Sequence, residues 1–294
     1  MHPALLPLLL LGTIWGATPA FVKHLGAIGW PPLLIATCAG VGSTLVLAAV
    51  CRLRGIAVPV TRAHLRHYGV TGLFGLALAN LVSFTSLQHV PAGFFSLLVP
   101  LSPMLTVLGA AVIGLEPATR RRMFGTALGL SGVLLAMSPG AALPDPHLLP
   151  WALLAALTPF CYAASNLLAV RLAPRGTPPL ALATGTLAAG TVQVAAFAAL
   201  SGQLQLPPVD GLAVSAAQGV VTALAFMIYF RSLGAHGGVI TSQTGYVVTL
   251  TGLAWGWALF GERPGWLTIP AAALVFAGLA LVTLPGKQIT RSGA

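Results

Sequence analysis

The chain has 294 residues, 57% of them apolar, with fourteen Lys or Arg against four Asp or Glu and a formal net charge of +10. A soluble domain carries about a quarter charged residues, so this composition excludes a water-soluble globule, and the apolar excess excludes a disordered chain. Nucleic-acid binding is excluded as well, because the cations are scattered between apolar runs instead of forming a patch or stripe.

The few charges mark out the architecture. A membrane-spanning helix needs about 20 mostly apolar residues, and an ionised side chain at mid-bilayer costs several kcal/mol, so spans fit inside the uncharged intervals. Those intervals are 1–22, 24–51, 67–115, 123–144, 146–170, 176–209, 211–230, 232–261 and 264–286. The third has room for two helices, with a turn at the stretch His89, Val90, Pro91, Ala92, Gly93. Ten spans are therefore predicted, over 5–22, 32–50, 68–87, 94–115, 123–138, 148–170, 179–200, 211–230, 239–260 and 266–284. The fifth is short for a bilayer. A β-barrel is the poorer reading, since barrel strands alternate apolar and polar residues and these runs are continuous.

Lys and Arg accumulate in short cytoplasmic loops. With the N-terminus inside, Arg52, Arg54, Arg62, Arg66, Arg120, Arg121, Arg122, Arg171, Arg175, Arg231, Lys287 and Arg291 lie inside and only Lys23 and Arg263 outside. Both termini are then expected in the cytoplasm, which requires an even number of spans. The first span lacks the basic n-region of a secretory signal and is read as a membrane helix. Cys38, Cys51 and Cys161 are odd in number and form no metal-ligand spacing, so they read as packing residues.

An offset of 146 residues pairs Phe84 with Phe230, Ser86 with Ser232, Ser96 with Ser242, Glu116 with Glu262, Gly132 with Gly278, Pro139 with Pro285 and Gly140 with Gly286. A repeat of this kind sets the fold. Each half holds five predicted spans, so the second copy enters the bilayer from the opposite side. The expected fold is an all-α integral membrane protein, ten transmembrane helices as two inverted five-helix repeats, residues 1–142 and 143–294. Inverted repeats in transporters place the substrate near the midplane, at the interface of the copies.

Particular motifs also carry a resemblance. Residues Thr13, Ile14, Trp15, Gly16, Ala17, Thr18, Pro19, Ala20, Phe21, Val22 and Lys23 resemble the opening of drug/metabolite transporters of the EamA type. The segments Leu115, Glu116, Pro117 and Phe260, Gly261, Glu262, Arg263, Pro264 resemble the glutamate motif that closes the fourth helix of each repeat in that family. The resemblance covers essentially the whole chain and implies a ten-helix exporter or importer of small metabolites with a central cavity. Within the family the chain most resembles bacterial aromatic amino-acid exporters of the YddG type. It departs from proton- or exchange-driven members in having no charged residue deep in any predicted span.

Cargo-facing residues must be polar or aromatic, lie within a span and share a helical face. The candidates are Trp15 in span one, Asn80 with Ser83 in span three, Ser96 and Pro100 in span four, Tyr162 and Asn166 in span six, Gln218, Thr222 and Tyr229 in span eight, and Gln243 with Tyr246 in span nine. A buried amide facing lipid is left unsatisfied. Asn80, Asn166, Gln218 and Gln243 therefore either line a cavity or bond across packed helices, and the residues alone fit both. Pro100 and Pro103 remove backbone donors, freeing carbonyls one turn earlier, either at a cavity or at a plain kink. Trp30, Trp151 and Trp266 read as membrane-belt anchors. His89 and His236 occupy equivalent connections and are either solvated or coupling residues. Glu116 and Glu262 are expected to stabilise helix ends or to pair with Arg121, Arg122 or Arg263.

No cation is available at depth to offset phosphate, so the expected cargo is neutral or zwitterionic, with aromatic or other bulky amino acids favoured by the aromatic candidates. The lipid bilayer is the other expected partner; no nucleic acid, metal or cofactor is expected. No HExxH, intramembrane aspartate pair or Ser-His-Asp set is present, and Asp145 and Asp210 lie in loops, so no enzyme activity is expected. A channel-like facilitator and an exporter of other uncharged metabolites or drugs stand as the alternatives.

Overall fold

The computed structural model describes residues 5–114, 119–138, 143, 145–242, 244–263 and 265–283, except for the side chains of residues 5, 230, 233–242, 246 and 283. The described part is all-helical, with no β-strand among the described residues. In chain order the helices are α1 (Leu5–Ala27), α2 (Pro32–Leu53), α3 (Arg62–Gly72), a π-helical turn (Leu73–Leu78), α4 (Ala79–Leu87), α5 (Ala92–Leu98), α6 (Leu101–Val112) and α7 (Arg120–Ala136). A 3-10 turn (Pro146–Leu148) then leads into α8 (Leu149–Ala155), α9 (Thr158–Leu172), α10 (Pro179–Leu200), α11 (Leu212–Ser242), α12 (Thr244–Phe260) and α13 (Thr268–Thr283).

Seven stretches are long and apolar enough to cross a membrane: Leu6–Ala27, Pro32–Leu53, Arg62–Leu87, Ala92–Val112, Pro146–Leu172, Pro179–Leu200 and Leu212–Tyr229. The remaining apolar helices, α7, α12 and α13, have 17, 17 and 16 residues. At 1.5 Å per residue these are about 25 Å long, short of the roughly 30 Å hydrocarbon core. Large apolar side chains such as Leu45, Leu134, Leu153, Val192 and Leu250 are exposed within helices, the outward face a bilayer solvates and water does not.

Proline decides where the long segments break. Pro100 has no N–H to return to the Ser96 carbonyl, and α5 ends at Leu98 while α6 begins at Leu101. The freed Ser96 carbonyl accepts from Thr249 Oγ1 of α12 at 3.0 Å. Pro103 falls in the first turn of α6, where a missing N–H has no cost. At the turn between α4 and α5, Pro91 sits directly before α5 in an extended conformation. The same turn was expected after Phe230 in the second half, but α11 continues through Arg231 to Ser242, 31 residues in all. The position equivalent to Pro91 is Gly237, and glycine weakens a helix without removing its hydrogen bond. The expected ninth span thereby loses its first four residues to α11.

The two halves pack through each other. α13 lies along α7, α1 along α12, and α10 along α2, while α11 crosses both α2 and α1. Small residues permit these approaches: Gly219 meets Gly42 backbone to backbone, and a Cβ built on Gly72 would sit 2.7 Å from Gly190 N. The main core joins Val22, Leu25 and Leu34 to Phe84, Phe94, Leu97, Leu98, Met104, Val275 and Leu279. Trp30 was expected at the membrane belt. It is instead 2% exposed, and its indole Nε1 donates to the Asp210 carbonyl at 2.8 Å, because a buried N–H needs a partner.

Candidate functional site

The predicted cargo residues fall into three groups. The first is aromatic and bridges the halves. Trp15 of α1 stands 5.3 Å from Tyr229 of α11, centroid to centroid and tilted by 49°, with Phe226 of α11 edge-on at 6.4 Å. Both Trp15 and Tyr229 are half-buried. Spacing i to i+3 places Phe226 and Tyr229 on one face of α11, so both meet the same indole.

A second group consists of polar side chains without partners. Ser83 Oγ and Gln218 Oε1 are buried and accept no hydrogen bond, in residues 2% and 1% exposed. Each such orphan costs about 1–3 kcal/mol. Asn80 is half-buried one turn before Ser83, with no side-chain hydrogen bond among the described residues. Thr222 lies one turn beyond Gln218 and is half-buried. Asn80 follows the π-helical turn directly, and such wide turns cluster at functional sites. Nothing in the sequence except the run of glycines at 69, 72 and 75 signals that turn.

Third come residues held by bonds within or between helices, or by packing alone. Ser96 is fully buried, its hydroxyl donating to the Ala92 carbonyl at 2.9 Å and its side chain packed onto Gly252 of α12. Asn166 Nδ2 donates to Thr106 Oγ1 of α6 at 3.4 Å, and its neighbour Ser165 donates to the Thr71 carbonyl at 3.1 Å. Tyr162, one turn before Asn166 on α9, is half-buried. Pro100 is buried at the α5–α6 break. Gln243 and the side chain of Tyr246 lie outside the described residues, as do Glu116 and the side chain of His236.

Glu262 has a larger role than its motif indicated. Its carboxylate accepts from Lys23 Nζ at 2.7 Å, from the Ala92 amide at 2.8 Å and from the Gly93 amide at 3.0 Å. It does stabilise a helix end, but the end belongs to α5, and its cation is Lys23 of α1 instead of the adjacent Arg263. Lys23 Nζ also lies 5.1 Å above the Phe260 ring, a favourable cation–π geometry. Partners 239 and 170 residues away leave no local pattern that would have identified them. Near the same end, His89 stacks on Trp151 at 3.7 Å and 14°, so this tryptophan has a partner other than the membrane belt.

Away from these residues, a concave space of about 620 Å³ is lined by Arg62, Ala63 and Arg66 at the start of α3. Among the described residues no group of three or more His, Cys, Asp or Glu is placed to hold a metal ion.

Comparison with known proteins agrees with this architecture. The chain is 29% identical over 287 residues to YedA of Escherichia coli (strain K12), described as an uncharacterized inner membrane transporter, covering 94% of this chain and 89% of YedA. It is 26% identical over 223 residues to YyaM of Bacillus subtilis (strain 168), described as an uncharacterized transporter, covering 74% of this chain and 70% of YyaM. One crystal structure superposes with a TM-score of 0.68 at 20% identity, covering 96% of this chain and 98% of its own, and so shares the fold. Two stretches, residues 2–138 and 149–284, match the EamA-like transporter family. Together they span most of the sequence, and the chain is a membrane transporter belonging to the EamA-like transporter family.

Proposed function

We propose that the chain is a carrier of the bacterial inner membrane that exports small neutral or zwitterionic metabolites, with aromatic or other bulky amino acids as cargo. In this reading two inverted five-helix repeats, residues 1–142 and 143–294, rock about a shared site, and both termini are cytoplasmic. The observation that carries it is the Trp15–Tyr229 pair spanning the two halves, combined with the orphan acceptors of Ser83 and Gln218. An aromatic pair offers stacking worth about 0.5–1.5 kcal/mol beyond area burial, and unpaired oxygens favour a cargo ammonium. Helix-terminal dipoles hold the carboxylate without a countercharge. The described arginines at the helix ends, such as Arg52, Arg62, Arg66, Arg120 and Arg171, are exposed, which leaves a cargo phosphate nothing to pair with at depth. The printed description of YedA as an inner membrane transporter supports the location.

Counterflow in proteoliposomes tests the reading. Labelled phenylalanine or tryptophan is expected to enter preloaded vesicles faster than protein-free ones, with saturation and competition by unlabelled cargo. Entry no faster than in empty vesicles removes the amino-acid cargo. Flux that never saturates replaces the carrier with a channel-like facilitator. Uptake driven uphill by an imposed pH gradient replaces passive exchange with proton coupling.

A further inference from the structure

We propose that Lys23 and Glu262 form a releasable latch that keeps one end of the cargo path shut, and that breaking it parts α5 from α12. This rests on the carrier reading given above. Three separate elements converge on the one carboxylate: the C-terminal part of α1 through Lys23, the start of α5 through the Ala92 and Gly93 amides, and the residue pair that follows α12.

The surroundings suit a contact that closes and reopens. Gly256 of α12 and Gly93 of α5 carry no side chain where the carboxylate lies, and a Cβ built on Gly256 would overlap Glu262 Oε2. The seam can therefore close to backbone distance, with charge-assisted bonds. Lys23 and Glu262 are 23% and 14% exposed, so solvent can reach both groups and replace their partners when they separate. Further along the same seam the bond from Thr249 Oγ1 to the Ser96 carbonyl crosses between the helices at 3.0 Å.

Among the described residues the opposite end shows no matching closure. The 146-residue offset carries Ala92 and Gly93 onto Gly238 and Val239. Those two residues lie inside α11, where backbone N–H groups are already used within the helix. A carboxylate cannot cap them there. One end is latched and its counterpart is continuous helix, which is the asymmetry an alternating carrier needs in any single state.

The test uses the full chain in proteoliposomes, with Cys38, Cys51 and Cys161 replaced by serine and Thr249→Cys placed in the seam, where the native threonine is fully buried. A membrane-impermeant maleimide is applied from either face. Slow labelling is expected in this parent. Glu262→Gln and Lys23→Met should each raise the rate at least tenfold from one face only, while Lys23→Arg stays at the parent rate. An unchanged rate in Glu262→Gln and Lys23→Met protein that elutes as a single sharp peak overturns the latch. So does an equal rise from both faces, which reports general loosening. Labelling needs no cargo, so absence of amino-acid counterflow in the wild type would remove the cargo reading while leaving the latch result intact.

Discussion

The seam between α7 and α13 provides the sharpest stability prediction, because its clash is entirely backbone. A Cβ added at Gly278 would lie 2.5 Å from the Gly125 carbonyl oxygen, 2.6 Å from Gly129 N and 2.8 Å from Gly129 Cα. No rotamer change relieves such contacts. Ordinary van der Waals contact begins near 3.4 Å, so Gly278→Ala must part the helices by about 0.9 Å, a gap that forfeits a quarter to a half of each contact worth roughly 0.1–0.2 kcal/mol. Over roughly 40 atom pairs along the seam this is about 2 kcal/mol, inside the ~1–3 kcal/mol range for overpacked interiors. Alanine returns up to about 1 kcal/mol through helix propensity. The net loss of about 1–2 kcal/mol lowers Tm by roughly 2–3 °C for a chain of this size. Gly69→Ala is the control, since nothing lies within 4 Å of a Cβ there; propensity alone should keep or raise its Tm. Size-exclusion elution after heating in detergent measures both. A Gly278→Ala protein as stable as wild type, or a Gly69→Ala protein that falls equally far, would refute the close-packing argument.

Four further outcomes follow from particular residues. Thr249→Val strands the Ser96 carbonyl and should cost about 1–2 kcal/mol, and less in a Pro100→Ala background where the returned N–H serves that carbonyl; a thermal double-mutant cycle showing no coupling contradicts this. Trp15→Ala and Tyr229→Ala should each lower saturable amino-acid counterflow about tenfold or more, and Trp15→Phe less, since a ring survives to stack. Asn80→Ala should raise the half-saturating cargo concentration with Tm unchanged. Gln193→Ala should do the reverse, because its amide donates to the Gly69 carbonyl at 3.0 Å and its loss costs about 1 kcal/mol in stability.

Charge spacing made most of the membrane helices legible, since a desolvated charge is expensive and its position is therefore fixed. The break at Pro100 was legible for a similar reason, as a missing donor is a local property of one residue. The charge of Arg231 set the end of span eight at Phe230, and the apolar stretch does stop at Tyr229, but the helix runs on to Ser242 because glycines at 237 and 238 do not enforce a turn. Among the candidates, Trp15 and Tyr229 share a contact, and Ser83 and Gln218 hold orphan oxygens, yet the Ser96 hydroxyl bonds back within α5 and Asn166 bonds to a neighbouring helix. Residue type could not separate these cases, because an amide or hydroxyl satisfies a packed helix as readily as a cavity. Glu262 shows the same limit at long range. Its motif marks a helix end, but only tertiary structure selects α5 and Lys23.

The wide turn at Leu73–Leu78 sets the phase of everything after it. A π turn accommodates one extra residue, and one residue of an α-helix corresponds to about 100° of rotation. Asn80 and Ser83 therefore point in a direction that an uninterrupted helix starting at Arg62 would assign to other side chains. A relative shorter by a single amino acid here would preserve its hydrogen-bond ladder while turning a different face inward. Insertion or deletion at this point would thus re-aim these side chains with no substitution among the proposed cargo residues.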